Sequence, residues 1–410
     1  MDAMLVSRIG KLRIICSLPL FSDSICIRRQ SAAEHGFTQV LMSLALAPKL
    51  NLASDKACEL IELAIFSELP KAYLGDPSYY LRQRHPEAAE MYRQVRGRLW
   101  RETEEAMHFK TSRSWSLYGL HELVDAYSAM LYIEKECLLG NSYFLSERYR
   151  THYHRLRRDA LANKDLSENH PASRTEDTAI VPDNFAVDWL KAISFLDSLF
   201  DESTRARLEG GIGEYSATFI GMTEKLKEHY RYKGWSFHYR ESVGEHTFQV
   251  VFLARILASA LGLNASDRIN LYRLAAFHDL AEAYASDVIY PVKMREKDLG
   301  AMHVQLEENI INEICDQLGI KLEHNPFHEA IVEICDRFSA QIYFDRELRS
   351  GNMHFLVPNT SMQSVRDRFQ QKYPEVFYVL DEIWEEFTNC FVQNPKLANL
   401  HLAMNEQQKV

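Results

Sequence analysis

One short segment of the sequence brings three ionisable side chains within five positions. His278 and Asp279 are adjacent among apolar residues, and Glu282 follows them. A buried carboxylate is costly unless it is paired, so a positively charged partner is expected nearby. If one helix continues through the segment, residues three and four positions apart project toward the same side, one turn apart. This spacing predicts a polar site in apolar helical surroundings.

Two distant residues are candidates to complete that site. His246 lies on an earlier predicted helix, and Asp336 lies on a later one. With His278 and Asp279 they offer two imidazoles and two carboxylates, a set that suits Mn²⁺, Fe²⁺, Co²⁺ or Zn²⁺. Each residue alone has an ordinary interpretation as a helix cap or a core residue. The four together predict a site for one divalent metal ion.

The elements that must position these residues are predicted to be helices. The 410 residues contain only 16 glycines and 12 prolines. Apolar residues recur at helical spacing, for example at Phe248, Val251, Phe252, Leu257 and Leu261. Alternating stretches long enough to predict a sheet are absent from the sequence. The expected fold class is therefore all-α.

Three blocks of the sequence recur at one offset of 211 positions. Residues 29–35 match 240–246, residues 66–76 match 277–287, and residues 125–132 match 336–343. The matches include His and Asp, and Gly140-Asn141 matches Gly351-Asn352 at the same offset, which a generic likeness between helices does not explain. The pattern predicts two tandem helical bundles related by duplication. We expect a first domain at residues 1–165, a polar linker at 166–184 and a second domain at 185–410.

The first copy retains only part of the polar set. It keeps His35, Asp76 and Asp125, but Ser67, Glu68 and Lys71 stand where the second copy has His278, Asp279 and Glu282. Lys71 brings positive charge to a position where a cation should bind, and it can pair with Glu68 three positions earlier. The first domain is therefore expected to be catalytically inactive.

Composition argues against several classes of protein. With 47 Lys+Arg against 57 Asp+Glu, the formal charge of -10 makes nucleic acid an unlikely partner. The longest apolar stretch, residues 250–263, contains Arg255 and is too short to span a bilayer. Seven scattered cysteines without a Cys-x-x-Cys motif indicate neither a disulfide framework nor a thiolate zinc site. We expect a cytoplasmic protein without a membrane segment.

The order of the polar residues carries a family resemblance. His246, then His278-Asp279, then Asp336 resembles the H…HD…D signature of HD-domain metal-dependent phosphohydrolases. Residues 240–246 and the block H-D-x-x-E-x-x-x-x-D-x-x-x-P-x-K at 278–293 are similar to the YfbR-like 5′-deoxynucleotidases within that superfamily. The resemblance covers about residues 226–355. The first domain would then be a degenerate HD repeat.

The resemblance implies roles at the metal and beside it. One divalent ion would be held by His246, His278, Asp279 and Asp336. Glu282 would act as a proton shuttle. Asp287 would orient the attacking water and the substrate.

The resemblance also implies roles toward the substrate. Lys233-Gly-Trp235 is similar to the group's R-W element, except that the arginine is displaced. Arg231 and Lys233 are both candidates to face the phosphate, and Trp235 would face the sugar. Lys293 lies in the matching block and is grouped with these substrate-binding residues. The implied reaction is removal of the 5′-phosphate from (deoxy)nucleoside monophosphates.

Alternatives stay open for both substrate and activity. Because the metal centre is shared across the superfamily, the substrate could instead be a dNTP, a cyclic nucleotide or a signalling nucleotide. A non-catalytic nucleotide-binding regulatory protein is the second alternative. The resembled group usually acts as homodimers, which implies either a homodimer or a monomeric pseudo-dimer in which the first domain replaces one subunit.

Overall fold

In the computed structural model of the chain, the described residues form helices and no β-sheet. Those residues are 7–21, 25–76, 85–109, 111–112, 114–141, 148–162, 187–206, 209, 218–232, 235–285, 297–356 and 360–392. Extended pairing within them is limited to two isolated β-bridges, Pro19 with Ser31 and Tyr230 with Ser242. The all-α fold class predicted from the sequence is confirmed. The linker predicted at 166–184 lies outside the described residues.

The N-terminal half, taken here as the described residues up to 162, contains seven helices. They are α1 (Arg8–Ile15), α2 (Ala32–Lys49), α3 (Ser54–Phe66), α4 (Lys71–Leu74), α5 (Pro86–Ala106), α6 (Trp115–Leu138) and α7 (Arg148–Leu161). The C-terminal half, taken as the described residues from 187 onward, contains nine. They are α8 (Trp189–Arg205), α9 (Phe219–Leu226), α10 (Val243–Ala260), α11 (Ala265–Phe277), α12 (Glu282–Ala285), α13 (Lys297–Leu318), α14 (Pro326–Arg349), α15 (Thr360–Phe369) and α16 (Pro374–Val392).

Several local structures recur 211 positions apart. Ser31 caps α2 and Ser242 caps α10, each in a capping box with the glutamate three residues later. Glu136 accepts hydrogen bonds from the amides of residues 27 and 28, both at 2.8 Å. Glu347 accepts from the amides of residues 238 and 239, at 2.9 and 2.7 Å. These repeated contacts support the predicted duplication, which stays a prediction together with its domain boundaries.

The two halves pack through α2 against α10 and through α3 against α11. Phe248 of α10 lies so close to Gly36 of α2 that a Cβ atom added there would come within 2.5 Å of its ring. Phe37 of α2 in turn lies close to Gly244 of α10, where an added Cβ atom would lie 3.2 Å from its ring. The glycines therefore permit the close approach of these central helices.

A buried ion pair crosses the interface between the halves. Arg255 of α10 is 1% exposed, and its Nε lies 3.4 Å from Oε1 of Glu62 on α3. Tyr272 of α11 donates a hydrogen bond to the same carboxylate at 2.7 Å. The residues 211 positions away from Arg255 and Glu62 are Leu44 and Arg273. The pair consequently has no counterpart at the equivalent positions.

Replacing Arg255 with methionine is expected to lower the free energy of unfolding by about 3–5 kcal/mol. The Glu62 carboxylate would lose its principal buried partner and keep its cost of desolvation. The double variant E62L/R255M should recover part of the loss, because it removes both fully buried charges, whereas Arg268, 25% exposed, loses its contact with Glu62. Denaturant unfolding of the three proteins measures both effects. A single variant as stable as the wild type would show that the ion pair is unimportant.

None of the described helices is long and apolar enough to cross a membrane. Four buried cysteines, Cys16, Cys58, Cys315 and Cys335, form no disulfide. The cytoplasmic location stays a prediction.

Candidate metal centre

The His-Asp segment is a turn between two helices. Helix α11 ends at Phe277, residues 278–281 form the turn, and α12 begins at Glu282. The continuous helix considered from the sequence is therefore not formed. Nδ1 of His278 lies 2.7 Å from the carbonyl oxygen of Ala275, the acceptor that a continuing helix would use for the amide of Asp279. This competition is a physical reason for the helix to end here.

The hydrogen bond to Ala275 also determines which nitrogen of His278 faces the site. Because a carbonyl can only accept, Nδ1 must carry the proton and donate it. In the neutral ring the lone pair is then on Nε2, which lies 3.2 Å from Oδ2 of Asp279. Burial opposes a charge on this ring, but Asp279 outweighs it and raises the pKa of His278 to about 9, so a bound ion would have to displace the proton on Nε2. A histidine whose Nδ1 donates to a backbone carbonyl is oriented in the way that metal-binding histidines commonly are.

The structure brings together the four residues that the sequence suggested as ligands. Nε2 of His246 lies 3.0 Å from Oδ1 of Asp336 and 3.6 Å from Oδ2 of Asp279. Ligand atoms of His246, His278 and Asp336 lie within 4.8 Å of one another. Helix α10, the turn after α11 and helix α14 supply them, so residues far apart in the sequence meet at one point.

The chemistry of these atoms fits a divalent cation. The Nε2 atoms of His246 and His278 are both buried, and neither has a hydrogen bond of good geometry within the described residues. The carboxylates of Asp279 and Asp336 lie close to them. Two nitrogen lone pairs beside two carboxylates form a mixed donor set that first-row divalent ions accept.

The electrostatics of the cluster favour ionised carboxylates. Burial opposes ionisation of Asp336, but the adjacent His246 outweighs it and holds the pKa of Asp336 well below its usual range. In the same way His278 lowers the pKa of Asp279 to about 2 against the effect of burial. Burial, reinforced by Arg231, lowers the pKa of His246 to about 4. A neutral imidazole and ionised carboxylates are the forms that bind metals.

Arg231 lies directly against this cluster. Its guanidinium contacts Nδ1 of His246 and lies 3.7 Å from carboxylate oxygens of Asp336 and Glu241. Burial opposes its charge, but neighbouring acidic groups raise the pKa of Arg231 above its usual value. Lys233, the second cation considered from the sequence for binding the phosphate, lies outside the described residues.

Ser339 offers a second partner to Nδ1 of His246. Its Oγ lies 3.1 Å from that nitrogen. When Nδ1 carries a proton it can donate to Ser339, and Nε2 then presents its lone pair. The Arg231 guanidinium has only donors, so it can hydrogen-bond to Nδ1 only in the opposite tautomer. The two contacts therefore belong to different protonation arrangements of His246.

Of the four remaining predicted site residues, the structure describes two. Glu282 is half-buried at the start of α12, and its amide donates to the carbonyl of Asp279 at 3.1 Å. Trp235 is 47% exposed, and its ring lies 5.3 Å from that of Phe355. Asp287 and Lys293 lie outside the described residues.

Sequence reasoning missed Ser339, Glu241 and Tyr232. Ser339 follows Asp336 by three residues on α14, so helical spacing alone could have indicated it. Tyr232 adjoins Arg231 and has a positive φ of 58°; Phe21, 211 positions earlier, has a φ of 54°. The tyrosine ring stacks on Tyr343 at 4.6 Å. Nothing in the sequence signals that the backbone here has a special conformation.

A cavity of about 330 Å³ opens beside His278. Its walls come from α11, α13 and α14 and combine apolar side chains with Glu308, Asn312 and Glu329. This volume is in the range of pockets that hold small organic ligands. Of the four candidate ligands, only His278 lines this cavity.

Comparison with known proteins relates most of the C-terminal half to one family. Residues 218–387 match the family model described as YfbR-like, 5′-deoxynucleotidase YfbR-like. A 4′-phosphooxetanocin A phosphatase from Priestia megaterium is 26% identical over 195 residues, covering 45% of this chain and 96% of its own. The 5′-deoxynucleotidase of Erwinia tasmaniensis is 25% identical, and YfbR of Escherichia coli 24%, each over 36% of this chain and 85% of its own. The family resemblance predicted from the sequence is thus confirmed for residues 218–387.

Proposed function

We propose that the chain is a metal-dependent phosphohydrolase that removes the 5′-phosphate from (deoxy)nucleoside monophosphates. The observation that carries the proposal is the meeting of two buried imidazoles and two carboxylates within the region matched by the family. Relatives named as a 5′-deoxynucleotidase and a nucleotide-analogue phosphatase support the choice of a phosphate monoester as substrate.

His246, His278, Asp279 and Asp336 would hold one divalent ion. Bound there, the ion would supply a water of lowered pKa and neutralise charge on the phosphoryl group. The proton on Nδ1 of His278 keeps Nε2 directed at the ion through the carbonyl of Ala275. Mn²⁺, Co²⁺, Fe²⁺ and Zn²⁺ all accept this donor set.

Arg231 binds the substrate phosphate in this proposal. When Nε2 of His246 serves as a ligand, Nδ1 carries the proton and donates to Ser339. Arg231 then loses its acceptor on that ring, and its fork of donors becomes available to phosphate oxygens. Metal binding and phosphate binding are thereby coupled through one imidazole.

The other residues receive roles from the family resemblance. Glu282, close in sequence to Asp279, transfers a proton to the leaving oxygen or from the water. Asp287 orients the water and the substrate. Trp235 packs against the sugar or base, Lys233 stays the alternative to Arg231 for the phosphate, and Lys293 stays grouped with the substrate-binding residues without a specific role.

A phosphate-release assay tests the activity. The purified chain is stripped of metal, reloaded with Mn²⁺ or Co²⁺ and incubated with a panel of nucleoside mono-, di- and triphosphates and cyclic nucleotides. Nucleoside plus phosphate from the monophosphates is the expected product. Nucleoside plus triphosphate would favour a dNTP hydrolase instead. Tight binding without turnover across the panel would favour a regulatory nucleotide-binding protein and contradict the proposed reaction.

Residues 1–165 take the place of a second subunit in this proposal, which makes the chain a pseudo-dimer with one active site. His35→Ala should therefore leave kcat/KM close to the wild-type value, although it removes a buried hydrogen bond to Asp125. Steady-state kinetics, compared at a temperature where both proteins remain folded, measure this. A loss as large as that caused by His278→Ala would mean that the first domain takes part in catalysis.

A further inference from the structure

The N-terminal half contains a second cluster of potential metal ligands. His35 of α2, Glu68 in the turn after α3 and Asp125 of α6 each place one ligand atom within 4.8 Å of the others. The three elements correspond, 211 positions earlier, to those that supply the cluster in the C-terminal half. The geometry for holding a cation is therefore present in both halves.

A side chain of the protein already supplies positive charge to this N-terminal cluster. Nζ of Lys71 lies 2.7 Å from Oε2 of Glu68. Burial opposes the charge on the amine, but Glu68, Asp76 and Asp125 outweigh it and raise the pKa of Lys71. The amine is thus a permanent cation at neutral pH, surrounded by the carboxylates that would otherwise attract an ion.

The imidazole of this cluster also has a partner within the chain. Nε2 of His35 lies 2.8 Å from Oδ1 of Asp125, and Gln39 donates to the same oxygen at 2.6 Å. In the C-terminal half, by contrast, Nε2 of His246 and Nε2 of His278 have no well-formed hydrogen bond within the described residues. In the N-terminal cluster Lys71 pairs with Glu68 at 2.7 Å, whereas the arginines beside the C-terminal cluster, Arg231 and Arg337, lie 3.7 and 3.6 Å from Asp336. The N-terminal cluster is therefore neutralised more directly by a side chain of the protein.

We propose that the N-terminal half contains a latent metal site in which the ammonium group of Lys71 replaces the ion. The lysine neutralises Glu68 and Asp125 and excludes a divalent cation by charge repulsion. The whole chain then binds one ion, in the C-terminal half. Removing the ammonium group exposes His35, Glu68 and Asp125 as ligands for a second ion.

Metal content measured on the full-length chain tests this proposal. Each protein is stripped with a chelator, reloaded with Co²⁺, passed over a desalting column and analysed for bound metal per chain. We expect one ion in the wild type, two in Lys71→Met, and one in K71M/H35A. Lys71→Arg keeps the positive charge and should bind one ion, like the wild type. Two ions in the wild type, or one in Lys71→Met, would overturn the proposal.

A second background separates this site from the proposed catalytic one. His278→Ala should bind no ion, whereas K71M/H278A should bind one, whatever reaction the protein catalyses. Thermal unfolding gives a second readout that remains usable when the substitutions lower stability. Co²⁺ should raise the unfolding midpoint of K71M/H278A and leave the midpoint of H278A unchanged. Lys71→Gln is measured in parallel, so a folding defect specific to methionine does not decide the result. An unchanged midpoint in both double variants, K71M/H278A and K71Q/H278A, would refute the latent site.

Discussion

Replacing His278 with alanine is expected to reduce the rate of phosphate release by at least about 10³-fold. This loss is smaller than the total rate acceleration of about 10⁶-fold or more that enzymes achieve. The variant loses one of two imidazole ligands and leaves Asp279 without its nearest cationic partner. The ion that would lower the pKa of the attacking water is then held weakly or not at all. Steady-state phosphate release and bound metal per chain, measured on the same preparation, should fall together.

A matched control for this variant is His154→Ala. His154 is an exposed histidine on α7, in the N-terminal half. Its removal should change neither metal content nor rate. If His278→Ala retained its ion and most of the wild-type rate, the metal centre would have to be sought elsewhere in the chain.

Replacing Arg231 with methionine is expected to lower kcat/KM by about 10²–10³-fold, the usual effect of removing a preorganised group that stabilises transition-state charge. The guanidinium is already fixed beside the metal ligands by Glu241 and Asp336. Methionine keeps much of the volume and removes all the donors. The loss should appear in KM and kcat together, because the phosphate is bound both before and during the reaction.

Arg231→Lys distinguishes charge from geometry at this position. Lysine restores a positive charge without the planar fork that binds two oxygens, so it should recover only part of the lost activity. Metal content should stay at one ion per chain in both variants, which separates phosphate binding from metal binding. Wild-type kinetics in Arg231→Met would assign the phosphate to another cation.

The meeting of two histidines and two aspartates could be predicted from the sequence because these residue types are distinctive. Two histidines and two aspartates at long separations, in apolar helical surroundings, suggested one centre, and the helices do bring them together. The all-α fold followed in the same way from helical periodicity and the scarcity of glycine and proline.

Other features depend on contacts that periodicity does not encode. Helix α11 ends where the side chain of His278 competes for a backbone carbonyl, and a pattern of apolar residues carries no sign of that. The choice between Arg231 and Lys233 depends on the backbone path, with a positive φ at Tyr232, which spacing alone does not reveal. In the sequence Arg255 only interrupts an apolar run, because its partner, Glu62, lies 193 positions away.

The buried pair of Arg255 and Glu62 has a consequence for what this protein can recognise. Two copies of the C-terminal half, packed as the halves are packed here, would set Arg255 opposite Arg273, two like charges. Because the N-terminal half already covers this face, we expect sedimentation of the full chain to show no dimer formed through α10 and α11. In the proposed pseudo-dimer, the contact between the halves does not have to be self-complementary as the contact of a symmetric dimer must be, since an arginine on one side meets a glutamate on the other.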